Sequence, residues 1–233
     1  MVRLVYANGS GNFDMADPED NWPLPEYNPG PQQHLHALGA ISTSYNKFES
    51  RLFSLFAYHL DKQKVSRKIT SAFYFQGSET QRLENIKLVF AECEKEQSVK
   101  DAVSKLMSYF NWCYETRNHL LHARHDPPFL GHDEKTLHLA KRVKKTSEQG
   151  FLKLNLATLR NVADKIHIGE KTCLNLIIYL QLRDTPVEEW DVTMKILAPA
   201  TLPEIPELPR GLVLSPIPHT PPPPAHLRKS SPS

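Results

Sequence analysis

Apolar residues recur every three or four positions over long stretches of this chain, which is the spacing of one face of an α-helix. The clearest run opens at Pro31, a residue type favoured at the first position of a helix, and continues to about Asp61. A second, shorter helix is predicted around Val65 to Phe75. The buried face of the first helix is predicted to comprise Leu35, Leu38, Ile41, Tyr45, Phe48, Leu52, Leu55 and Phe56.

Two pairs of polar residues predict where the next helices begin. Ser78 and Gln81 have the spacing of a capping box, which predicts a helix from there to about Glu94. Ser98 and Asp101 repeat that pattern more weakly and predict the start of the longest informative helix. Its apolar face is predicted to comprise Val99, Val103, Leu106, Phe110 and Cys113.

Proline and glycine predict how the later helices end. The long helix should run to about Ala123, because Pro127 and Pro128 cannot continue it and bias the preceding residue away from helix. A final helix is predicted from about Leu156 to Leu182, weakened or kinked at Gly169.

The segment between the last two helices is ambiguous. Residues 136–154 carry apolar residues near both ends, separated by lysines and a glycine, so they fit a small hairpin or a loop. The predicted fold class is therefore all-α, an up-and-down helical bundle that accommodates a small β-hairpin insertion near residues 136–154.

Proline placement predicts three regions. Five of the 19 prolines lie at or before Pro31 and eleven lie from Pro199 onward, whereas residues 32–126 contain none. An irregular N-terminal arm is predicted over residues 1–31, a helical domain over 32–185, and a Pro-rich, disordered tail over 186–233. A Pro-rich tail can bind an aromatic-lined groove of a partner protein, although a solvated tail is the commoner case.

Composition and charge restrict the class of protein. Hydrophobic residues make up 40% of the chain, and the net charge of +2 is too small to indicate a nucleic-acid or membrane partner by itself. Three widely spaced cysteines suit a reducing compartment, and no apolar run reaches the roughly 20 residues that span a membrane. We therefore expect a cytoplasmic protein without a membrane segment. Without a Gly-rich phosphate loop, we expect no cofactor.

A polar interruption of the long helix is the candidate functional site. Arg117 occupies the next position in phase with the apolar face, where an arginine is costly unless it is paired or faces a cleft. Asn118 and His122 lie one turn apart on an adjoining face, within reach of the long Arg117 side chain. A cation, an amide and an imidazole therefore converge at the end of one helix.

The segment Arg117-Asn118-His119-Leu120-Leu121-His122 resembles the R-N-x-x-x-H motif of the HEPN superfamily. Tyr45-Asn46-Lys47-Phe48-Glu49 on the first helix is similar to the opening helix of many bacterial members, which carries an aromatic residue and a glutamate. The resemblance covers roughly residues 33–182. This sequence differs from that of some nuclease members, because it has no aromatic hydroxyl shortly after the histidine.

The resemblance implies a small helical bundle, often a homodimer with two motifs facing across the interface. It also implies a metal-independent endoribonuclease that leaves 2′,3′-cyclic phosphate ends, although many members are inactive binding or scaffold modules. In such a site His122 would exchange protons with the reacting oxygens, Arg117 would stabilise the phosphate, and Asn118 would position the substrate or the imidazole.

The residues also support other interpretations. His119, His122 and His125 suggest a metal site, but no cysteine joins them and His125 lies beside the predicted helix end, so we predict no metal site. A second function class is a non-catalytic RNA-binding or protein-interaction module in which Arg117, Asn118 and Glu49 form a structural polar network.

Two basic segments would contribute to an RNA surface if they lay beside Arg117. They are residues 62–68 and residues 141–145, the latter including Lys141 and Arg142. Glu49, Lys141 and Arg142 are accordingly predicted to help bind substrate. The alternative for both segments is an ordinary solvated surface.

Overall fold

The part of the chain that the structure describes is a bundle of five helices with a small sheet at one end. The computed structural model describes residues 32–122, 124–125, 136–142, 149–186, 201–212 and 215–216. The helices are α1 (Gln32–Lys62), α2 (Arg67–Gln76), α3 (Glu79–Cys93), α4 (Gln97–Leu121) and α5 (Leu156–Arg183). The strands are β1 (Arg124–His125), β2 (Thr136–Arg142), β3 (Gln149–Asn155) and β4 (Ser215–Pro216). The predicted helical bundle is confirmed.

Packing contacts show that the helices alternate in direction. Phe53 of α1 contacts Tyr74 near the end of α2, whereas Glu49 and His59 of α1 face the start and end of α3. The α2 helix is therefore antiparallel to α1, and α3 is parallel to it. This order agrees with the predicted up-and-down arrangement.

The helix boundaries predicted from the sequence are only partly correct. Ser78 and Gln81 form a complete capping box before α3. The predicted start of α4 at Ser98 is wrong, because the helix begins at Gln97 behind Glu96, which makes no side-chain capping bond. The α4 helix also ends at Leu121, two residues before the predicted Ala123, and a strand follows.

Gly169 does not interrupt α5, and its small size has a packing reason. A Cβ atom at this position would lie 2.7 Å from Cε1 of Phe48 and 2.7 Å from Cε1 of Tyr109. These distances are shorter than normal carbon–carbon contacts. Glycine therefore allows α5 to approach α1 and α4 closely, and the helix runs through it without a break.

The segment 136–154 contains a β-hairpin, which settles the alternative between hairpin and loop. Strands β2 and β3 pair antiparallel from Thr136↔Asn155 to Arg142↔Gln149. The short strands β1 and β4 extend the hairpin to a four-stranded sheet in the order β1-β2-β3-β4, which the sequence did not predict. Three strand leucines join the helical core: Leu137, Leu152 and Leu154.

Part of the predicted tail lies against the helices. Residues 201–212 have neither helix nor strand structure, yet Leu202, Ile205 and Leu212 pack onto the core. The indole Nε1 of Trp112 donates a hydrogen bond to the carbonyl oxygen of Arg210 at 3.4 Å. The expectation of a disordered tail over 186–233 therefore does not hold for residues 201–212, because apolar residues between the prolines give this segment a surface to bury. The predicted arm, residues 1–31, lies outside the described residues.

The described helices have no membrane-spanning character, since none of them is both long enough and apolar enough to cross a bilayer.

Candidate functional site

The three predicted motif residues lie at the C-terminal end of α4, close to one another. His122 is the residue immediately after the helix, and its backbone N–H donates to the carbonyl oxygen of Asn118 at 3.2 Å. Arg117 and Asn118 are half-buried, and His122 is exposed. The structure therefore leaves His122 open to solvent and Arg117 partly so.

One nitrogen of Arg117 joins the other two motif residues. Nη1 donates to Oδ1 of Asn118 at 2.9 Å and lies 3.2 Å from Nε2 of His122. A guanidinium has only donors, so this contact is a hydrogen bond in the tautomer of His122 whose Nε2 has a free lone pair. That tautomer can also accept a proton through Nε2.

The guanidinium of Arg117 lies over an aromatic ring. Its central carbon is 5.4 Å from the ring centroid of Tyr45, which is a cation–π distance. Tyr45 is 4% exposed, and burial, followed by the nearby carboxylates of Glu79 and Glu49, raises the pKa of its hydroxyl above the ordinary 10.0. The ring beneath Arg117 therefore stays neutral across the physiological pH range.

Arg117 has no carboxylate partner among the residues that the structure describes. Its hydrogen-bonding and ring partners are Asn118, His122 and Tyr45, none of which is a carboxylate. Its Nε atom is buried and makes no hydrogen bond. A guanidinium binds phosphate or carboxylate through parallel N–H groups, so Arg117 keeps donor capacity and an uncompensated positive charge for an anion.

The expected pair between Arg117 and Glu49 is not formed. Oε1 of Glu49 instead accepts from Nη1 of Arg82 at 2.6 Å, and Nη2 of Arg82 lies 2.7 Å from Oε2 of Glu79. Burial raises the pKa of Glu79, and Arg82 opposes that effect. The carboxylate of Glu49 is therefore paired with a residue of α3 and is not available to Arg117.

The directions of the helices show that the motif lies at the end of the bundle where α1 and α5 begin. Phe48 of α1 contacts Gly169 of α5, and Tyr58 donates to the carbonyl oxygen of Leu180 at 2.8 Å, so the two helices run parallel. They start 16 residues before Phe48 and 13 before Gly169, which brings their N-termini level to within about 5 Å along the axis. The α4 helix runs the opposite way, because Phe110 packs edge-to-face on Phe48 whereas Arg117 reaches Tyr45.

The motif end of the bundle therefore also contains the N-termini of α1 and α5. Neither helix has an acidic residue in its first turn. Helix N-termini carry partial positive charge and unpaired N–H groups, which favour anions. The electrostatics of this end are favourable for a phosphate.

The two basic segments lie in different places relative to Arg117. Lys62 ends α1, 17 residues after Tyr45, which corresponds to about 25 Å along the helix. The 62–68 segment is thus remote from the motif. Lys141 and Arg142 lie in β2, which pairs with β1 through Arg124↔Ala140, and β1 follows His122 after one residue. Their side chains, and residues 143–145, lie outside the described part of the chain.

Metal ligands do not cluster in the described part of the chain. Among those residues no group of three or more His, Cys, Asp or Glu side chains is arranged to hold an ion. The side chain of His125, the third member of the histidine set, lies outside that part.

Two aromatic residues of the site were not recognised from sequence. Tyr45 was assigned to the apolar face of α1 and to the segment that resembles the HEPN opening helix, but its contact with Arg117 was not predicted. Tyr114 is half-buried, and its ring centroid is 6.5 Å from that of Tyr45. The spacing of three residues between Tyr114 and Arg117 was available in the sequence and would have placed both on one side of α4.

Comparison with known protein families, with curated proteins and with solved structures finds no match for this chain.

Proposed function

We propose that this protein binds RNA at the Arg117 end of the bundle and cleaves it as a HEPN-like, metal-independent endoribonuclease. The observation that carries the proposal is the guanidinium of Arg117, which has no carboxylate partner among the described residues and lies 3.2 Å from Nε2 of His122. A half-buried cation with uncharged partners has a higher affinity for an anion than one already paired with a carboxylate. The R-N-x-x-x-H resemblance supports RNA as the source of that anion.

The proposed reaction uses the ribose of the substrate as nucleophile. The phosphodiester binds to Arg117 and competes with His122 for the guanidinium, which frees the lone pair of Nε2. His122 accepts the proton of the 2′-hydroxyl while the 2′-oxygen bonds to phosphorus. The bond from phosphorus to the 5′-oxygen breaks, and that oxygen takes a proton from water or from the imidazolium form of a second His122. The products are a 2′,3′-cyclic phosphate and a 5′-hydroxyl.

A homodimer with two facing motifs, which the resemblance implies, would supply that second imidazole. Arg117 would stabilise the negative charge that builds on the phosphate oxygens. Asn118, held by Nη1 of Arg117, would position the substrate. Lys141 and Arg142 remain proposed substrate contacts through the closeness of β2 to the motif.

The test is RNA cleavage by purified protein in EDTA, with Arg117→Ala and His122→Ala measured in parallel. We expect cyclic-phosphate ends and a loss of about 100-fold or more in each variant. Matched controls are Arg67→Ala and His167→Ala, because these residues are exposed and lie outside the motif. Both controls should cleave as the wild type does.

Full cleavage by His122→Ala would refute the nuclease assignment. RNA binding without cleavage, lost in Arg117→Ala, would instead support the second candidate, a non-catalytic RNA-binding module. The free donors of Arg117 also support this second candidate, because they are sufficient to bind a phosphate without cleaving RNA. Absence of both binding and cleavage by a folded wild type would refute the RNA proposal altogether.

A further inference from the structure

Tyr114 is a half-buried aromatic residue beside Arg117 that the proposed reaction does not use. Its ring centroid lies 6.5 Å from that of Tyr45, with the two ring planes inclined by 35°. Tyr45 in turn supports the guanidinium of Arg117. Tyr114 is therefore anchored on one side by the structure that holds the cation, while part of its surface remains accessible.

Helix geometry places Tyr114 inside the row of motif residues. At about 100° per residue, Tyr114, Asn118 and His122 lie roughly 60°, 100° and 140° around α4 from Arg117. Tyr114 thus falls between Arg117 and Asn118 in angle, at the edge of the buried face of α4, where it packs against the core with part of its surface exposed. Along the axis, the row from Tyr114 to His122 extends over about 12 Å. One continuous strip of α4 therefore presents a ring, a cation, an amide and an imidazole.

We infer that Tyr114 is a nucleobase subsite, on which an unpaired base stacks while Arg117 holds the neighbouring phosphate. This inference rests on the proposed function. Residues three apart on a helix have Cβ atoms about 5–6 Å apart, close enough for a base and its adjoining phosphate to contact both. A tyrosine ring already fixed against Tyr45 loses little conformational entropy when a base stacks on it. Asn118 lies one turn after Tyr114 and next to Arg117, and its amide can hydrogen-bond a base edge or a ribose hydroxyl.

The subsite gives the strip a preference for single-stranded RNA. Every base has a π-face, so stacking on tyrosine tolerates any sequence. Bases in a duplex are already stacked on both sides and cannot reach a side chain in this way. Tyr114 would therefore direct the protein to loops, bulges and strand ends.

The test compares the binding of two RNA probes by the wild type and by two variants, Tyr114→Phe and Tyr114→Leu. The probes are a short single-stranded RNA whose 2′-hydroxyls are methylated, so that it cannot be cleaved, and the same strand without bases. Wild-type protein should bind the base-containing strand roughly 5- to 100-fold more tightly than the abasic strand. Tyr114→Phe keeps the ring and should keep this preference.

Tyr114→Leu keeps an apolar side chain without a flat ring and should lose most of the preference, while its affinity for the abasic strand stays unchanged. Thermal unfolding checks that each variant is folded. Tyr179→Leu, which changes a half-buried tyrosine near the far end of α5, is the matched control and should bind both strands as the wild type does.

The outcomes separate this inference from the proposed function. Equal binding of both strands by the wild type would overturn the base subsite and leave phosphate binding intact. A preference that survives in Tyr114→Leu would also overturn it, since the base must then stack elsewhere. If the wild type bound neither strand, the RNA proposal would fail, and the subsite with it.

Discussion

The two ends of the bundle each contain an arginine in a polar cluster, but the partners of the two arginines differ in charge. At the motif end, Arg117 contacts an amide, an imidazole and a phenol ring. At the opposite end, Arg183 lies 2.9 Å from Oε2 of Glu94 and also contacts Glu96 and Asp184. Among the described residues, the first guanidinium has no carboxylate partner and the second is surrounded by carboxylates.

The Arg183 cluster has the structure of a stabilising element. Glu94 is 5% exposed, at the end of α3, and pairs with Arg183 of α5 and with His59 of α1 at 3.4 Å. Lys62 and Tyr58 of α1 also contact Asp184. The carboxylates thus fix the ends of three helices together.

Both arginines are half-buried, so the charge of their partners distinguishes them and their burial does not. Carboxylates neutralise the cation and use its donors, so Arg183 has little left for a ligand. The described partners of Arg117 hold it in place without a carboxylate to neutralise it. Three predictions test this contrast, beginning with the largest expected effect.

Removing Arg183 should destabilise the protein strongly. Arg183→Ala leaves the carboxylate of Glu94 buried without its main partner, and we expect the free energy of unfolding to fall by about 3–5 kcal/mol. Denaturation by urea measures the change. Arg160→Ala is the matched control on the same helix, because Arg160 is exposed, and it should change stability by less than about 0.5 kcal/mol. An equally small effect of Arg183→Ala would remove the contrast between the two ends.

The Glu94 cluster should also make the protein sensitive to acid. Burial raises the pKa of Glu94, but hydrogen bonds from Arg183 and from the backbone amides of Glu96 and Lys95 outweigh burial and lower it to about 2, from 4.5. A lowered carboxylate pKa stabilises the folded state above pH 4.5, and this stabilisation is lost as the pH falls toward 2. The loss should amount to about 3 kcal/mol.

Urea denaturation at several pH values measures this loss. In Glu94→Gln, which has no titrating group at this position, most of the change between pH 4.5 and 2 should disappear. His59 adds a smaller effect of the same sign near neutral pH, because burial lowers its pKa below 6.5. A wild-type protein whose stability is constant from pH 4.5 to 2 would contradict the role of the cluster.

Removing the charge of Arg117 should have the smallest effect on stability. Arg117→Leu eliminates a buried, unpaired Nε and keeps an apolar side chain over Tyr45, so we expect stability to stay the same or to rise by up to about 1 kcal/mol. RNA binding should nevertheless be lost. Destabilisation comparable to that of Arg183→Ala would show that Arg117 is structural and would favour the interaction-module alternative.

Much of the fold could be predicted from local pattern. The helices α1, α3 and α5 lie close to their predicted bounds, because apolar periodicity and the Ser78 capping box depend on neighbouring residues only. The convergence of Arg117, Asn118 and His122 was predictable for the same reason, since one helix carries all three. The start of α4 was misassigned because the local signal at Ser98 was weak.

Pairing between distant residues could not be predicted. Glu49 was an obvious carboxylate for Arg117, yet Arg82 takes it, because the turn after Gly77 brings α3 alongside α1. The packing of residues 201–212 was also missed, since Trp112 and Arg210 are 98 residues apart. The prediction of a disordered tail used proline content, and proline content does not show whether the helices offer an apolar surface that the tail can cover.

The sequence by itself determined the helices and the grouping of the motif residues, because these depend on interactions within a few turns of chain. The tertiary structure decided which charged groups of the site are paired. Among the described residues, it paired Glu49 and Glu79 with Arg82, set the ring of Tyr45 beneath Arg117, and left Nε of Arg117 without a hydrogen-bond partner. Charge compensation depends on which side chains meet across helices, and that is fixed only when the bundle packs.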